Sequence, residues 1–231
     1  RRLMQAEVYS ILIITTLMTG FIFVTNKRIK DYEPGSKPTG LVLYAITYVQ
    51  AILSITEPVM GRKRGRAMAA YIGVVFMYIL LSNWSGLLGL KNPTANYSVT
   101  LALAMITWLG IQITKIRENG VKGYLEDFFK PFFFFVIPNI FSTVAPLISL
   151  SLRMFGNVLS GTIITTMLYA ITGWLSGSIP VVGGFDFIGV VIAPWLHLYF
   201  DIFSGFLQAF LFVSLTTIFI GIEYKEDLNN G

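Results

Sequence analysis

Long tracts of this chain contain no charge at all. Residues 8–26, 67–90, 92–114, 131–152, 154–185 and 202–222 lack Asp, Glu, Lys and Arg, and each tract approaches or exceeds the roughly 20 residues an α-helix needs to cross a bilayer core. Hydrocarbon offers the backbone no water to bond, so only helices and closed barrels can span it. Barrel strands alternate in short runs, whereas these tracts are continuous and rich in Leu, Ile, Phe and Met. The predicted fold class is therefore all-α membrane, a polytopic helical bundle in the cell membrane. Composition agrees: 13% of residues are charged, against about 25% in a soluble domain.

Several kinds of chemistry are excluded. The chain has no cysteine, so it makes no disulfide or thiolate, and one histidine cannot build a zinc site. The sequence holds no Walker-type glycine loop, no metal-ligand cluster and no Ser/His/Asp nucleophile arrangement. No metal or cofactor is expected. The first residue is Arg1 rather than Met, which leaves room for a preceding segment, and no cleavable signal peptide is visible.

The net charge is +5, but its placement follows membrane sidedness and gives no reason to expect a nucleic-acid partner. Four Lys and Arg lie at 27–37, four at 62–66 and three at 115–122, with Lys130 and Lys225 beyond, while the stretches 83–98 and 173–187 hold only Lys91. By the positive-inside bias, the basic loops and the C-terminus are expected in the cytoplasm and the other two loops outside. The Arg1-Arg2 pair, on the outer side, fits least well.

The chain divides into 1–130, carrying transmembrane and surface helices, and 131–231. A first helix is predicted over 8–24, an outward span over 67–88 and a returning span over 98–114. The stretch 41–57 places Thr47, Gln50 and Ser54 on one side and Val42, Ile46, Val49 and Leu53 on the other. Such a helix is expected along the cytoplasmic surface or beneath the bundle. Residues 132–171 hold a single charge, and a helix of that length extends about 60 Å, twice the roughly 30 Å core. No turn signal interrupts it near Arg153, and Pro138 and Pro146 bend a helix rather than end it. The same excess recurs over 187–222. Two long, strongly tilted helices forming a hairpin are predicted, joined by a turn at 173–186.

Arg153 is the strongest chemical signal. An arginine at bilayer depth costs at least about 2.5–3.5 kcal/mol and so faces a partner or a watery cavity. A packing salt bridge and a snorkelling side chain are the plain alternatives. Ser149, Gly156, Asn157 and Ser160 share its face at helical spacing, with Gly161 beside them, and small residues admit close approach of another helix. On the last segment His197, Asp201, Gly205 and Gln208 are spaced by 4, 4 and 3, which stacks them on one α-helical face. A carboxylate buried in hydrocarbon is costly to keep ionised, so Asp201 is expected to take up and release protons. His197 is either a relay to it or an interfacial anchor near Pro194-Trp195. Gln208 is equally a polar seam between helices. The aromatic run at 132–135 beside Lys130 is expected to anchor at the membrane interface.

The stretch Leu150-Ser151-Leu152-Arg153-Met154-Phe155-Gly156-Asn157-Val158-Leu159-Ser160-Gly161 resembles the hallmark of subunit a of rotary F-type ATP synthases. Tyr97-Ser98-Val99-Thr100-Leu101-Ala102-Leu103-Ala104 and Leu207-Gln208-Ala209-Phe210-Leu211-Phe212 with Leu215-Thr216 are similar to further blocks of that family, in the same order. The resemblance implies a non-catalytic, proton-translocating stator subunit with two half-channels. It implies that Arg153 faces a rotating c-ring and that Asn157 and Gln208 line that interface. The partners implied are the c-ring, the peripheral stalk subunit b, other ATP synthase subunits and membrane lipid. Two departures matter: where many bacterial members carry Glu nine residues after the arginine this chain has Thr162, and where many carry His seven residues before the glutamine it has Asp201. Asp201 rather than Thr162 is therefore expected to be the titrating group of the outer half-channel. A secondary transporter is the main rival, but such folds carry paired repeats with broken helices, and none is visible here. A noncatalytic scaffold, the other rival, leaves Asp201 without a role.

Overall fold

The computed structural model describes residues 2–32, 37–178 and 186–224, which contain helices and turns and no strand. The helices are α1 (Arg2–Lys30), α2 (Gly40–Met60), α3 (Arg62–Trp84), α4 (Tyr97–Asp127), α5 (Val136–Gly177), α6 (Phe187–His197) and α7 (Ser204–Ile222), with a π-helical turn, Leu198–Phe203, joining the last two. Among the described residues 6 helical stretches are long and apolar enough to cross a membrane, the longest being Phe133–Gly177 and Phe187–Ile222. The chain is a multi-pass helical membrane protein.

Buried side chains from several helices make one core: Ile72 and Ile79 of α3, Ala104 of α4, Leu150 and Met154 of α5, and Phe212 and Val213 of α7. α3 and α4 run in opposite directions, and α5 returns along α4. The Trp108 indole donates to Thr143 O at 2.7 Å, and the Tyr97 ring meets Phe155 edge-on at 5.5 Å. At one end Glu7 pairs with Lys91 at 3.5 Å and accepts from Asn96. At the other, Arg64 pairs with Glu118 at 3.3 Å and lies 4.5 Å over the Tyr224 ring, while Arg66 bonds Glu57 at 2.9 Å. The fold thus gathers the 62–66 and 115–130 basic loops and the end of α7 at one pole, and Lys91 at the other.

Three segments differ from the sequence expectation. α2 lies alongside α3 rather than along the cytoplasmic surface or beneath the bundle: it runs back antiparallel from Gly61, the Tyr48 hydroxyl donates to Gly73 O at 2.7 Å, and Gly40–Met60 is long and apolar enough to cross a membrane. Of its polar side, Ser54 bonds Ala51 O of its own helix, while Thr47 and Gln50 are exposed; the buried Thr56 bonds Ile52 O. α4 continues past 114 to Asp127, broken at Gly120, whose φ of 71° only glycine adopts readily. α5 stays helical through Gly173 to Gly177, and the rest of the expected turn, 179–185, lies outside the described residues. The aromatic run at 132–135 is exposed on every ring, Phe134 at 90%.

Candidate functional site

α5 and the α6–π turn–α7 rod form an antiparallel hairpin, and the paired residues descend it in order. At its mouth Asp186 caps α6: its carboxylate accepts from Gly189 N at 2.7 Å and from the Thr172 and Ser176 hydroxyls of α5, each at 2.9 Å. The Gly189 amide, helped by the two hydroxyls and opposed by partial desolvation, holds this carboxyl below the usual carboxylate range.

Next comes a chain of three titratable groups that bridges the two arms. Tyr169 Oη lies 2.9 Å from His197 Nε2, and His197 Nδ1 lies 2.6 Å from Asp201 Oδ2. In the neutral imidazole one nitrogen donates and the other accepts, so Nδ1–H gives to the carboxylate while Nε2 accepts from the phenol. A chain of this kind can pass a proton from one arm to the other. The chain itself leaves 34% of the Asp201 side chain and 48% of that of His197 exposed.

Below this, Phe200 packs at Gly161, where an added Cβ would meet its ring at 3.4 Å. Ser204 Oγ then donates to Asn157 Oδ1 at 2.9 Å. His197, Asp201, Gly205 and Gln208 do not share one face. The π turn carries more residues per turn than an α-helix and so rotates the side chains beyond it. His197 and Asp201 therefore look toward α5, Gly205 packs on Asn83 and Trp84 of α3, and Gln208 is buried with its Nε2 lacking a partner among the described residues.

Arg153 lies deeper still and is exposed. Its Nη2 donates to Ser149 Oγ at 3.4 Å, and no described carboxylate pairs with it. Beside it, an added Cβ at Gly156 would touch nothing within 4 Å, and the Ser160 hydroxyl turns back to Gly156 O and Asn157 O. Thr162 likewise bonds Val158 O in its own helix. Leu150, Ser151 and Met154 occupy the opposite, buried side of α5. The guanidinium thus stands on an open small-residue strip.

Sequence reasoning alone missed Tyr169. It sits 28 positions from His197, and only the hairpin register brings them together. No group of three or more His, Cys, Asp and Glu that would suit a metal ion occurs among the described residues.

A family model described as ATP synthase A chain matches residues 8–221. ATP synthase subunit a of Mycoplasmoides gallisepticum is 32% identical over 224 residues, covering 90% of this chain and 74% of the relative. The subunit a of Desulforamulus reducens is 34% identical, over 70% of this chain and 58% of its own length. A Propionigenium modestum protein named ATP synthase subunit a, sodium ion specific, is 31% identical over 68% of this chain and 56% of its own length. With a match that runs from α1 to the end of α7 and relatives aligned over most of the chain, the protein belongs to the ATP synthase subunit a family.

Proposed function

We propose that this membrane component of an F-type ATP synthase is its non-catalytic, proton-conducting stator subunit, and that Arg153 is the gate between two half-channels. The observation that carries the proposal is an exposed guanidinium without a carboxylate partner among the described residues, on the helix with the least buried apolar window, 6% against 44% in the last one. An unpaired cation at bilayer depth is costly unless a partner covers it. An oligomeric ring of subunit c bearing carboxylates supplies such a cover. A ring carboxylate about 4 Å away gains roughly 4 kcal/mol of attraction at an effective dielectric near 20, enough to hold it deprotonated as it passes. Guanidinium stays protonated at physiological pH, so Arg153 cannot hand a proton across; protons cross only by riding the ring.

Asp201, with His197 and Tyr169, forms the outer half-channel in this scheme, and Asn157, Ser149 and Ser160 line the strip that the ring slides over. Gln208, buried within the chain, supports the helix that carries Asp201. Subunit b and the other synthase subunits hold the chain against the ring. The hairpin lies strongly inclined in the bilayer, since 42 residues in α5 at 1.5 Å each exceed the core thickness about twofold. One relative is named sodium ion specific, which raises sodium as a second ion; the phenol–imidazole–carboxylate chain favours protons because each member can exchange one.

The test is gradient-driven ATP synthesis in vesicles carrying Arg153→Ala in an assembled complex. Coupled synthesis is expected to vanish, and normal coupling overturns the proposal. Synthesis that requires added sodium moves the ion from proton to sodium.

A further inference from the structure

The turn that presents Asp201 is fastened from outside the hairpin. Leu198–Phe203 is π-helical, with Ser204 N–H reaching back to Tyr199 O. A π turn interrupts the regular ladder and opens carbonyls at its exit to other donors. The end of α3 supplies them: the Trp84 indole N–H donates to Ile202 O at 3.3 Å, and the Asn83 amide donates to Gly205 O at 3.0 Å. Asn83 is buried and is itself held by the Thr94 hydroxyl, which donates to its Oδ1 at 2.7 Å. Gly205 permits the approach, because an added Cβ would meet Asn83 Cβ at 3.1 Å and Trp84 Cδ1 at 3.4 Å.

We infer that Asn83 and Trp84 are positioning residues for the His197–Asp201 pair: their two donors hold the π turn, and the π turn turns that pair toward Tyr169 on α5. The inference rests on Asp201 lying in the ion path. If the turn relaxed to α-helix, one residue of register would be lost and the side chains on either side would rotate against each other by about 100°. With Phe212 and Val213 of α7 packed in the core, that rotation would carry the His197–Asp201 pair, which i,i+4 spacing keeps together in an α-helix too, away from Tyr169. Among the described residues, the titratable groups linked to Asp201 by hydrogen bonds are His197 on its own rod and, through it, Tyr169 on α5, while the end of α3 brings the neutral Asn83 and Trp84.

The experiment measures passive proton flux per assembled complex in vesicles, against proton concentration on the Asp186 side, after removal of the soluble catalytic part. Trp84→Phe keeps the ring and loses the donor. The expected result is a half-saturating proton concentration moved about threefold or more, with flux lowered about fivefold for one lost hydrogen bond. Trp84→His, which retains a ring N–H, should recover the wild-type half-saturation. In an Asp201→Asn background Trp84→Phe should cost nothing further, because the two act through one element. Asn83→Asp, which keeps the acceptor for Thr94 and loses the donor to Gly205, gives the same test should Trp84→Phe not assemble. Flux unchanged by Asp201→Asn alone removes Asp201 from the ion path. Flux slowed by Asp201→Asn, with a Trp84→Phe effect that is absent, confined to the plateau or fully additive, overturns the positioning role and leaves the ion path standing.

Discussion

At the scale of single residues, the departure at position 201 makes this chain testable. A carboxylate stands where many relatives are expected to carry imidazole, and the imidazole sits one turn earlier at His197, 2.6 Å away. If that pair moves protons, Asp201→Asn should slow outer-side proton uptake by about 10²-fold, within the usual range for a positioned proton-transfer group. Asp201→Glu should retain a measurable part. Stopped-flow acidification of vesicles reports both, and an unaltered rate in Asp201→Asn would place the outer channel elsewhere. Asp186 makes a different prediction. Its folded carboxyl is held low, so its contribution to hairpin stability is complete above the unfolded carboxylate value near 4 and is lost as pH falls through the lower folded value. Thermal melting of the detergent-solubilised complex should therefore lose its dependence on pH in that acidic window when Asp186 is replaced by Asn, and the melting temperature at neutral pH should drop.

At the scale of elements, the close approach of α2 and α3 hangs on one glycine. A Cβ at Gly65 would lie 2.9 Å from Glu57 Cα and 3.0 Å from Thr56 C, both backbone atoms that cannot swing aside. Gly65→Ala should force the helices apart and destabilise the chain by about 1–3 kcal/mol, read as reduced accumulation of folded subunit in the membrane and a lower melting temperature; wild-type levels would show that the helices shift freely. This contact also marks where sequence legibility ended. Charge-free tracts disclosed the long helices because an unpaired charge in hydrocarbon is expensive wherever it falls. They did not disclose how α2 packs, since Thr47, Gln50 and Ser54 look alike whether they face water or bond their own helix. The break in α4 carried a visible signal, Asn119-Gly120, but the charges from Lys115 onward ended the expected span at 114 and marked 115–130 as a basic loop, so the helix on either side of the break went unread. The π turn carried none, because its cause lies in donors from Asn83 and Trp84, about 120 positions away in sequence, at 122 and 118. The candidate site was legible in proportion: Arg153, His197 and Asp201 announced themselves as costly polar groups, whereas Tyr169 did not.

At the scale of the whole molecule, the apolar cover is uneven. α3, α4 and the Phe187–Ile222 rod bury a third or more of their most apolar windows, α1 22% and α2 11%, while α5 buries the least, 6%, and exposes Leu152, Leu159, Ile163 and Met167 beside the Arg153 strip. Lipid satisfies an apolar surface, but it gives nothing to a guanidinium, and small residues beside Arg153 favour another helix over fatty acyl chains. Those two features together favour a helical protein partner over lipid on this strip, as the proposed ring would supply. The chain has no cysteine, so single cysteines can be read without background. Ser160→Cys and Leu152→Cys should react readily with a membrane-permeant maleimide in membranes that lack subunit c and become strongly protected when the ring is present. Met154→Cys, facing the core, should react slowly in both. Oxidative cross-linking to a ring subunit carrying a cysteine on its outer helix should follow the same order. Full reactivity of Ser160→Cys in the complete synthase would mean that the strip faces lipid, and Arg153 would then need a partner from another quarter.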